Sequence, residues 1–155
     1  MCNLRKYHLL ITLPLILFLG CAEDYLVIKP IEEKIQIFLE EEITKSGIPE
    51  LQFRFTSKEN YPCSFYPVFS DIVRNQNKFR IFIEGTAEPF VCLDSPAPAL
   101  GWLNLGYVAI GRFELEFLLD DILIKGKIIS TNQTYEIILD TNTKFILLNS
   151  ILIKR

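Results

Sequence analysis

Histidine is nearly absent from this 155-residue chain, because the only one is His8, inside an apolar stretch at the N-terminus. The residues after that stretch therefore cannot build a Ser-His-Asp or Cys-His nucleophilic site, nor a histidine metal site. The sequence also has no CxxC pair, no GxxxxGKS or GxxxxGKT phosphate loop and no GxGxxG motif. These absences exclude the commonest catalytic arrangements, and we expect no cofactor and no metal.

Basic side chains are too few for a nucleic-acid binder. The 16 Lys and Arg residues face 19 Asp and Glu residues, a net charge of −3. If the N-terminal apolar stretch is removed together with Arg5 and Lys6, 14 basic side chains remain and the net charge is −5. Nucleic acids and anionic lipid surfaces both bind clustered Lys and Arg, so we expect neither kind of electrostatic docking. Half of the residues are apolar, and the length fits a single folded domain.

Residues 1–20 have the anatomy of an export signal. Arg5 and Lys6 precede an apolar run of 11 residues from Leu9 to Leu19. That run is shorter than the roughly 17 to 25 residues that a membrane-spanning helix needs. The pattern divides the chain into a signal peptide at 1–20, a tether at 21–29 and a single domain at 30–155.

The residues Leu17-Phe-Leu-Gly-Cys21 resemble the lipobox of bacterial lipoproteins, in which a cysteine that follows small residues receives a diacylglycerol. The resemblance covers only the first 21 or so residues. It implies an acylated Cys21, attachment to a membrane and, because Ala22 rather than Asp follows the cysteine, the outer membrane. Gly20-Cys21-Ala22 also fits a small-x-small cleavage site, which would discard Cys21 and release a soluble protein.

Cys63 and Cys92 are the cysteines that remain once Cys2 and Cys21 are accounted for. An even pair in an exported protein predicts a disulfide. It would stabilise the fold by about 3 to 4 kcal/mol in the chain-entropy model. The alternative is a pair of free buried thiols. A metal site is not expected from two thiols 29 positions apart with no histidine to complete the ligand set.

The apolar periodicity predicts an α+β fold. Residues 30–46 begin with Pro30 and carry apolar side chains at spacings of three and four before Gly47, a pattern typical of an amphipathic helix. From Leu51 onward the period changes to two, which predicts half-buried antiparallel strands. Short polar turns separate the expected C-terminal strands, which lie near 106–119, 122–130, 133–139 and 144–153.

We therefore expect one N-terminal amphipathic helix packed on a curved antiparallel meander sheet. The alternative is a small β-barrel with the helix plugging one end. The segment 87–93 is expected to be an edge strand or a bulge, since Pro89 interrupts it. The Pro-rich segments 61–69 and 94–102 are expected to be irregular loops that the disulfide holds together.

Aromatic side chains on or near those irregular segments form the candidate binding surface: Tyr61, Tyr66, Trp102 and Tyr107. Loops on a rigid sheet often carry recognition, and Tyr and Trp are favoured anchors. The alternative is that these rings only cover one end of the core.

Carboxylate chemistry is the catalytic option that the composition leaves open. The candidate pairs are Glu114 with Glu116, Asp120 with Asp121, and Glu84 with Glu88. Such charge clusters usually mark solvated surface, so we expect no enzyme.

Three functions stay open at this point. The first, which we expect, is a non-catalytic cell-envelope lipoprotein anchored through acylated Cys21, with an interaction or assembly role toward an envelope protein partner. The second is a carrier or sensor of an apolar ligand held between helix and sheet. The third is a carboxylate-dependent glycan hydrolase.

Overall fold

A computed structural model describes residues 26–141 and 143–154, and within these ranges every regular element is a β-strand. The predicted signal peptide and Cys21 lie outside the described residues. No helix in the described ranges is long and apolar enough to cross a membrane. The strands are β1 (Ile35–Ile43), β2 (Pro49–Tyr61), β3 (Val68–Asn75), β4 (Lys78–Thr86), β5 (Ala97–Gly106), β6 (Gly111–Leu119), β7 (Ile122–Ser130), β8 (Thr134–Leu139), β9 (Phe145–Leu147) and β10 (Ile151–Ile153).

The predicted α+β fold is wrong, because the residues expected to form the helix form β1 instead. Along β1, Ile35, Ile37 and Leu39 are buried and alternate with partly exposed residues, which is the period of a strand. All nine residues of β1 pair with β2 in antiparallel register. Gly47, expected to end the helix, instead has a φ of 78° in the turn between these strands. The alternative, a small β-barrel plugged by the same helix, is wrong as well, since no described residue belongs to a helix.

The ten strands form two sheets, with the orders β5-β2-β1-β9 and β10-β8-β7-β6-β4-β3. The expected antiparallel meander is confirmed only for β6, β7 and β8. The pairings of β1 with β9 and of β4 with β6 are parallel, so both sheets are mixed.

The chain changes sheets between β9 and β10, and Asn149 secures that crossing. Its side-chain Oδ1 accepts a hydrogen bond from the Leu39 amide at 2.7 Å. Its Nδ2 donates to the Leu39 carbonyl, also at 2.7 Å. The Asn149 amide therefore pairs with β1 as a strand backbone would.

Phenylalanine rings from both sheets fill the core between them. Phe53 and Phe55 of β2 contact Phe117 of β6, with ring centroids 5.5 and 6.3 Å apart. Phe145 of β9 contacts the same ring at 5.2 Å. The expected inward alternation is confirmed, because Leu51, Phe53 and Phe55 in β2, Phe79, Ile81 and Ile83 in β4, and Phe113, Leu115 and Phe117 in β6 are all buried.

The start of β3, an end strand of the six-stranded sheet, lies against the middle of β5, an end strand of the four-stranded sheet. This contact joins the two sheets. Pro67 and Leu100 form a parallel bridge, and the Leu100 amide donates to the Tyr66 carbonyl at 2.9 Å. A Cβ on Gly101 would overlap the Val68 carbonyl oxygen, so this close approach requires glycine.

Two local predictions near this junction are wrong. The segment 94–102, expected to be an irregular loop, belongs from Ala97 onward to the regular strand β5. The segment 87–93 forms no strand, and Pro89 within it has no N–H to offer a ladder.

Candidate functional site

A disulfide between Cys63 and Cys92 fastens two irregular segments together, as the cysteine count predicted. The two Cα atoms lie 5.4 Å apart. Next to it, the Ser64 amide donates to the Leu93 carbonyl at 3.3 Å and the Ser64 hydroxyl donates to the Ser95 carbonyl at 2.9 Å. The segment after Cys63 is therefore held on one side by a covalent bond and on the other by backbone pairing with Leu100.

An apolar groove of about 640 Å³ runs between this clamped segment and the outer face of β5. We call it the aromatic groove; it is lined by Thr56, Ser64, Phe65, Tyr66, Pro67, Ala97, Pro98, Leu100 and Trp102. Alternation along β5 turns Pro98, Leu100 and Trp102 outward, while Ala99, Gly101 and Leu103 point into the core. The volume falls within the range of roughly 300 to 1,000 Å³ that is typical of ligand sites.

Two large aromatic side chains of the groove remain open to solvent. Phe65 is 71 % exposed and Trp102 is 55 % exposed. Phe65 also has a φ of 71°, a region that bulky residues rarely adopt. This ring follows the disulfide-bonded Cys63 by two residues.

The structure brings together three of the four predicted binding residues. Tyr66 and Trp102 line the aromatic groove, and the ring of Tyr61 lies 4.5 Å from that of Tyr66. Tyr107 lies after the far end of β5, outside the groove lining, with its carbonyl accepting a hydrogen bond from Arg74.

Sequence reasoning placed Pro98 and Leu100 in a loop and so missed the floor of the groove. Their alternation with Ala99 and Gly101 toward Trp102 is the signal that could have found it.

A second depression adjoins the groove on the other side of Tyr66. We call it the acidic recess; it measures about 540 Å³ and is lined by Lys29, Pro30, Glu32, Glu33, Glu59, Asn60, Tyr61, Pro62, Tyr66, Thr86, Ala87 and Glu88. Burial raises the pKa of Tyr61, and a hydrogen bond to the Glu33 carboxylate raises it further. Two polar atoms here, Glu33 Oε1 and Thr86 Oγ1, are buried without a hydrogen-bond partner.

The candidate pair Glu114 and Glu116 lies in an ion-pair network rather than in a catalytic cleft. Glu116 is only 7 % exposed, not solvated as expected. It accepts hydrogen bonds from Lys78 Nζ at 2.6 Å and from Arg80 Nε at 2.9 Å. The bond from Lys78, with a smaller contribution from Arg80, lowers the pKa of Glu116 against the effect of burial.

The other two carboxylate pairs have structural surroundings as well. Glu88 pairs with Lys29 Nζ at 2.5 Å, and that hydrogen bond lowers the pKa of Glu88, while Glu84 is exposed on β4. Asp120 and Asp121 form the turn between β6 and β7, where Asp120 has a φ of 50°. A general acid needs a raised pKa, and Glu116 and Glu88 show the opposite direction.

Within residues 26–141 and 143–154, no group of three or more His, Cys, Asp and Glu side chains is placed to hold a metal ion. No family model, curated protein sequence or solved structure is significantly similar to this chain.

Proposed function

We propose that this chain is a non-catalytic, lipid-anchored protein of the bacterial cell envelope that binds an exposed apolar segment of another envelope protein. The aromatic groove is the observation that carries the proposal. Acylated Cys21 supplies the anchor, and Ala22 after it favours the outer membrane.

The composition and the support of the groove favour protein recognition. Trp and Tyr are the side chains most often found at the centres of interfaces, and Trp102 and Tyr66 line this groove. The disulfide between Cys63 and Cys92 keeps the wall of the groove in place before a partner arrives. Such preorganisation reduces the conformational entropy lost on binding.

An apolar patch near the start of the described chain supports the membrane anchor. Leu26, Val27 and Phe90 line one cleft beside the Lys29–Glu88 ion pair, and Phe90 is 85 % exposed. Leu26 follows Cys21 by five residues, so their Cα atoms are at most about 18 Å apart. An exposed apolar patch this close to acyl chains suits the interface of a bilayer.

The position of that patch is fixed by backbone pairing. The Lys29 amide donates to the Thr86 carbonyl at 2.7 Å, and the Thr86 amide donates to the Lys29 carbonyl at 2.9 Å. The first described residues, Leu26 and Val27, therefore lie beside Phe90, next to the paired Lys29.

The carboxylates support a non-catalytic role. Glu116 and Glu88, the two candidates with the closest cationic partners, are held ionised by Lys78, Arg80 and Lys29. A glycan hydrolase needs one carboxyl group that stays protonated to donate to the leaving group.

Site-specific photocrosslinking in intact cells tests the proposal. A photoreactive phenylalanine analogue would replace Trp102 in the aromatic groove or, as a control, Ile153 on β10, which is 73 % exposed. We expect one envelope protein to be crosslinked from position 102 and not from 153. Adding Phe65→Ser to the position-102 variant should reduce that yield.

Two outcomes would overturn the proposal. One is an equal set of adducts from positions 102 and 153. The other is an adduct from position 102 with a small apolar molecule and no protein, which would favour the carrier function.

A further inference from the structure

We propose that the acidic recess binds an organic cation through its ammonium or guanidinium group. This site is separate from the aromatic groove, and it does not depend on the lipid anchor. The inference rests on the charge of the recess, on two unpartnered buried oxygen atoms and on the aromatic wall.

The charges that line the recess are strongly unbalanced. Four carboxylates, from Glu32, Glu33, Glu59 and Glu88, surround a single amine, that of Lys29. Lys29 lies against Glu88 at 2.5 Å. The other three carboxylates lie along the same lining, so a bound cation would relieve their mutual repulsion.

Two oxygen atoms in the lining have no donor in the folded protein. Glu33 Oε1 is buried without a hydrogen-bond partner. Thr86 is only 2 % exposed, and its Oγ1 is also unpartnered. Buried polar atoms in folded proteins are nearly always paired, so a ligand that carries N–H donors is the natural complement to both.

The remaining walls favour an organic cation. The neighbouring rings of Tyr61 and Tyr66, tilted by 34° to one another, can attract a cation through their π faces. Pro30, Pro62 and Ala87 offer apolar surface to the methylene groups that carry an ammonium or guanidinium head. A bare metal ion would use neither feature.

Two sources could supply this group. One is a free polyamine. The other is a Lys or Arg side chain of the protein bound in the aromatic groove, because Tyr66 lines both depressions.

Titration calorimetry on the purified mature protein tests the site. The probes are spermidine, N-acetyl-lysine amide, N-acetyl-arginine amide, uncharged N-acetyl-norleucine amide and Ca²⁺, all at one low ionic strength. We expect at least one organic cation to bind, with no binding of the norleucine derivative. Binding of spermidine alone indicates a free amine as the natural ligand, whereas binding of the amino-acid amides alone indicates a side chain.

Three variants separate site binding from general charge attraction. Glu33→Gln should weaken cation binding at least tenfold, while Glu136→Gln, which removes a charge on β8 outside the recess, should leave it unchanged. Thr86→Val should also weaken binding, yet it should not lower the melting temperature, because the hydroxyl that it removes has no partner in the free protein.

The proposal is overturned if no organic cation binds, if Glu33→Gln and Glu136→Gln weaken binding equally, or if Ca²⁺ binds more tightly than every organic probe. A melting temperature lowered by Thr86→Val, together with unchanged binding, would also overturn it, because the hydroxyl would then serve the fold alone.

Discussion

The rings of Tyr61 and Tyr66 lie 4.5 Å apart between centroids, on either side of Cys63 in the chain. Tyr66 lines both the aromatic groove and the acidic recess, and Tyr61 lines the recess. The two depressions therefore share one wall, which the disulfide to Cys92 holds in place. A change that releases this wall should alter both sites at once.

Removing the disulfide should destabilise the protein and open the aromatic groove. For Cys63→Ser with Cys92→Ser, the chain-entropy model gives a loss of about 3 to 4 kcal/mol in the free energy of unfolding. We expect a lower urea midpoint, and a shift in the emission of Trp102, the only tryptophan, to longer wavelength. Reductant should have this effect on the wild type and none on the double variant. Equal stability of the two proteins would show that the clamp contributes nothing.

Gly85→Ala should detach the segment that leads toward Cys21. Gly85 has a φ of 139°, and a Cβ there would overlap the Lys29 carbonyl oxygen. Gly106→Ala is the matched control, since Gly106 has a φ of 75° and open space around it. The control should lose about 1 kcal/mol from backbone strain alone.

Gly85→Ala should lose more than the control, and hydrogen exchange at the Lys29 and Thr86 amides should become faster. Protection of both amides equal to that of Gly106→Ala would contradict the packing described for this segment.

Glu116→Gln should lower stability at neutral pH by about 1 kcal/mol, because Lys78 and Arg80 lose an ionised partner. The folded protein holds the pKa of Glu116 below its ordinary value of 4.5. The contribution of ionised Glu116 to the free energy of unfolding is therefore present above pH 4.5 and is lost as the pH falls through the pKa of Glu116 in the folded protein.

Urea unfolding of Glu116→Gln and the wild type should therefore converge in acid. Glu114→Gln is the control, since that side chain is 67 % exposed and 3.7 Å from Lys78. A difference that stays constant down to pH 3 or so would contradict the ion-pair account.

Tyr61 should make the protein sensitive to alkali. Burial and the hydrogen bond to Glu33 raise the pKa of Tyr61 above its ordinary value of 10.0. Its contribution to stability is therefore present below pH 10.0 and is lost as the pH rises toward the folded pKa. Tyr61→Phe should flatten this decline, whereas Tyr107→Phe, at an exposed ring, should not. Phenolate absorbance that shows Tyr61 ionising with the exposed tyrosines would contradict the assignment.

Strands β6, β7 and β8 could be predicted from the sequence because their hydrophobic period and their turns agree, whereas the single strand expected near 144–153 is two short strands, β9 and β10, in different sheets. Leu115 and Phe117 alternate with polar residues, and Asp120-Asp121 supplies a turn at the predicted place.

The first strand, β1, was mistaken for a helix because its apolar residues fit both the helical and the strand period. Its three isoleucines, at 35, 37 and 43, are β-branched and favour a strand, but the glutamates among them favour a helix. Backbone pairing with β2 and β9 makes this segment a strand rather than a helix, and no local sequence pattern encodes that pairing.

The site was predictable to a similar degree. The even number of remaining cysteines was enough to predict the disulfide. The aromatic residues on or near the Pro-rich segments were enough to predict Tyr66 and Trp102 as candidate binding residues. The acidic recess was not predictable, because its lining comes from three separate parts of the chain, around Lys29 and Glu33, around Glu59 and around Thr86. The pairing of Lys29 with Thr86 and the bond from the Lys58 amide to the Lys34 carbonyl bring the first of these segments to the other two.

The anchor at Cys21 is the central claim of this account, and the intact mass of protein purified from its native membrane tests it most directly. The account predicts a chain that begins at Cys21, carries added acyl groups, and gains the mass of two hydrogens on reduction of the Cys63–Cys92 bond. A chain that begins at Glu23 without lipid would contradict it and would identify a released domain instead.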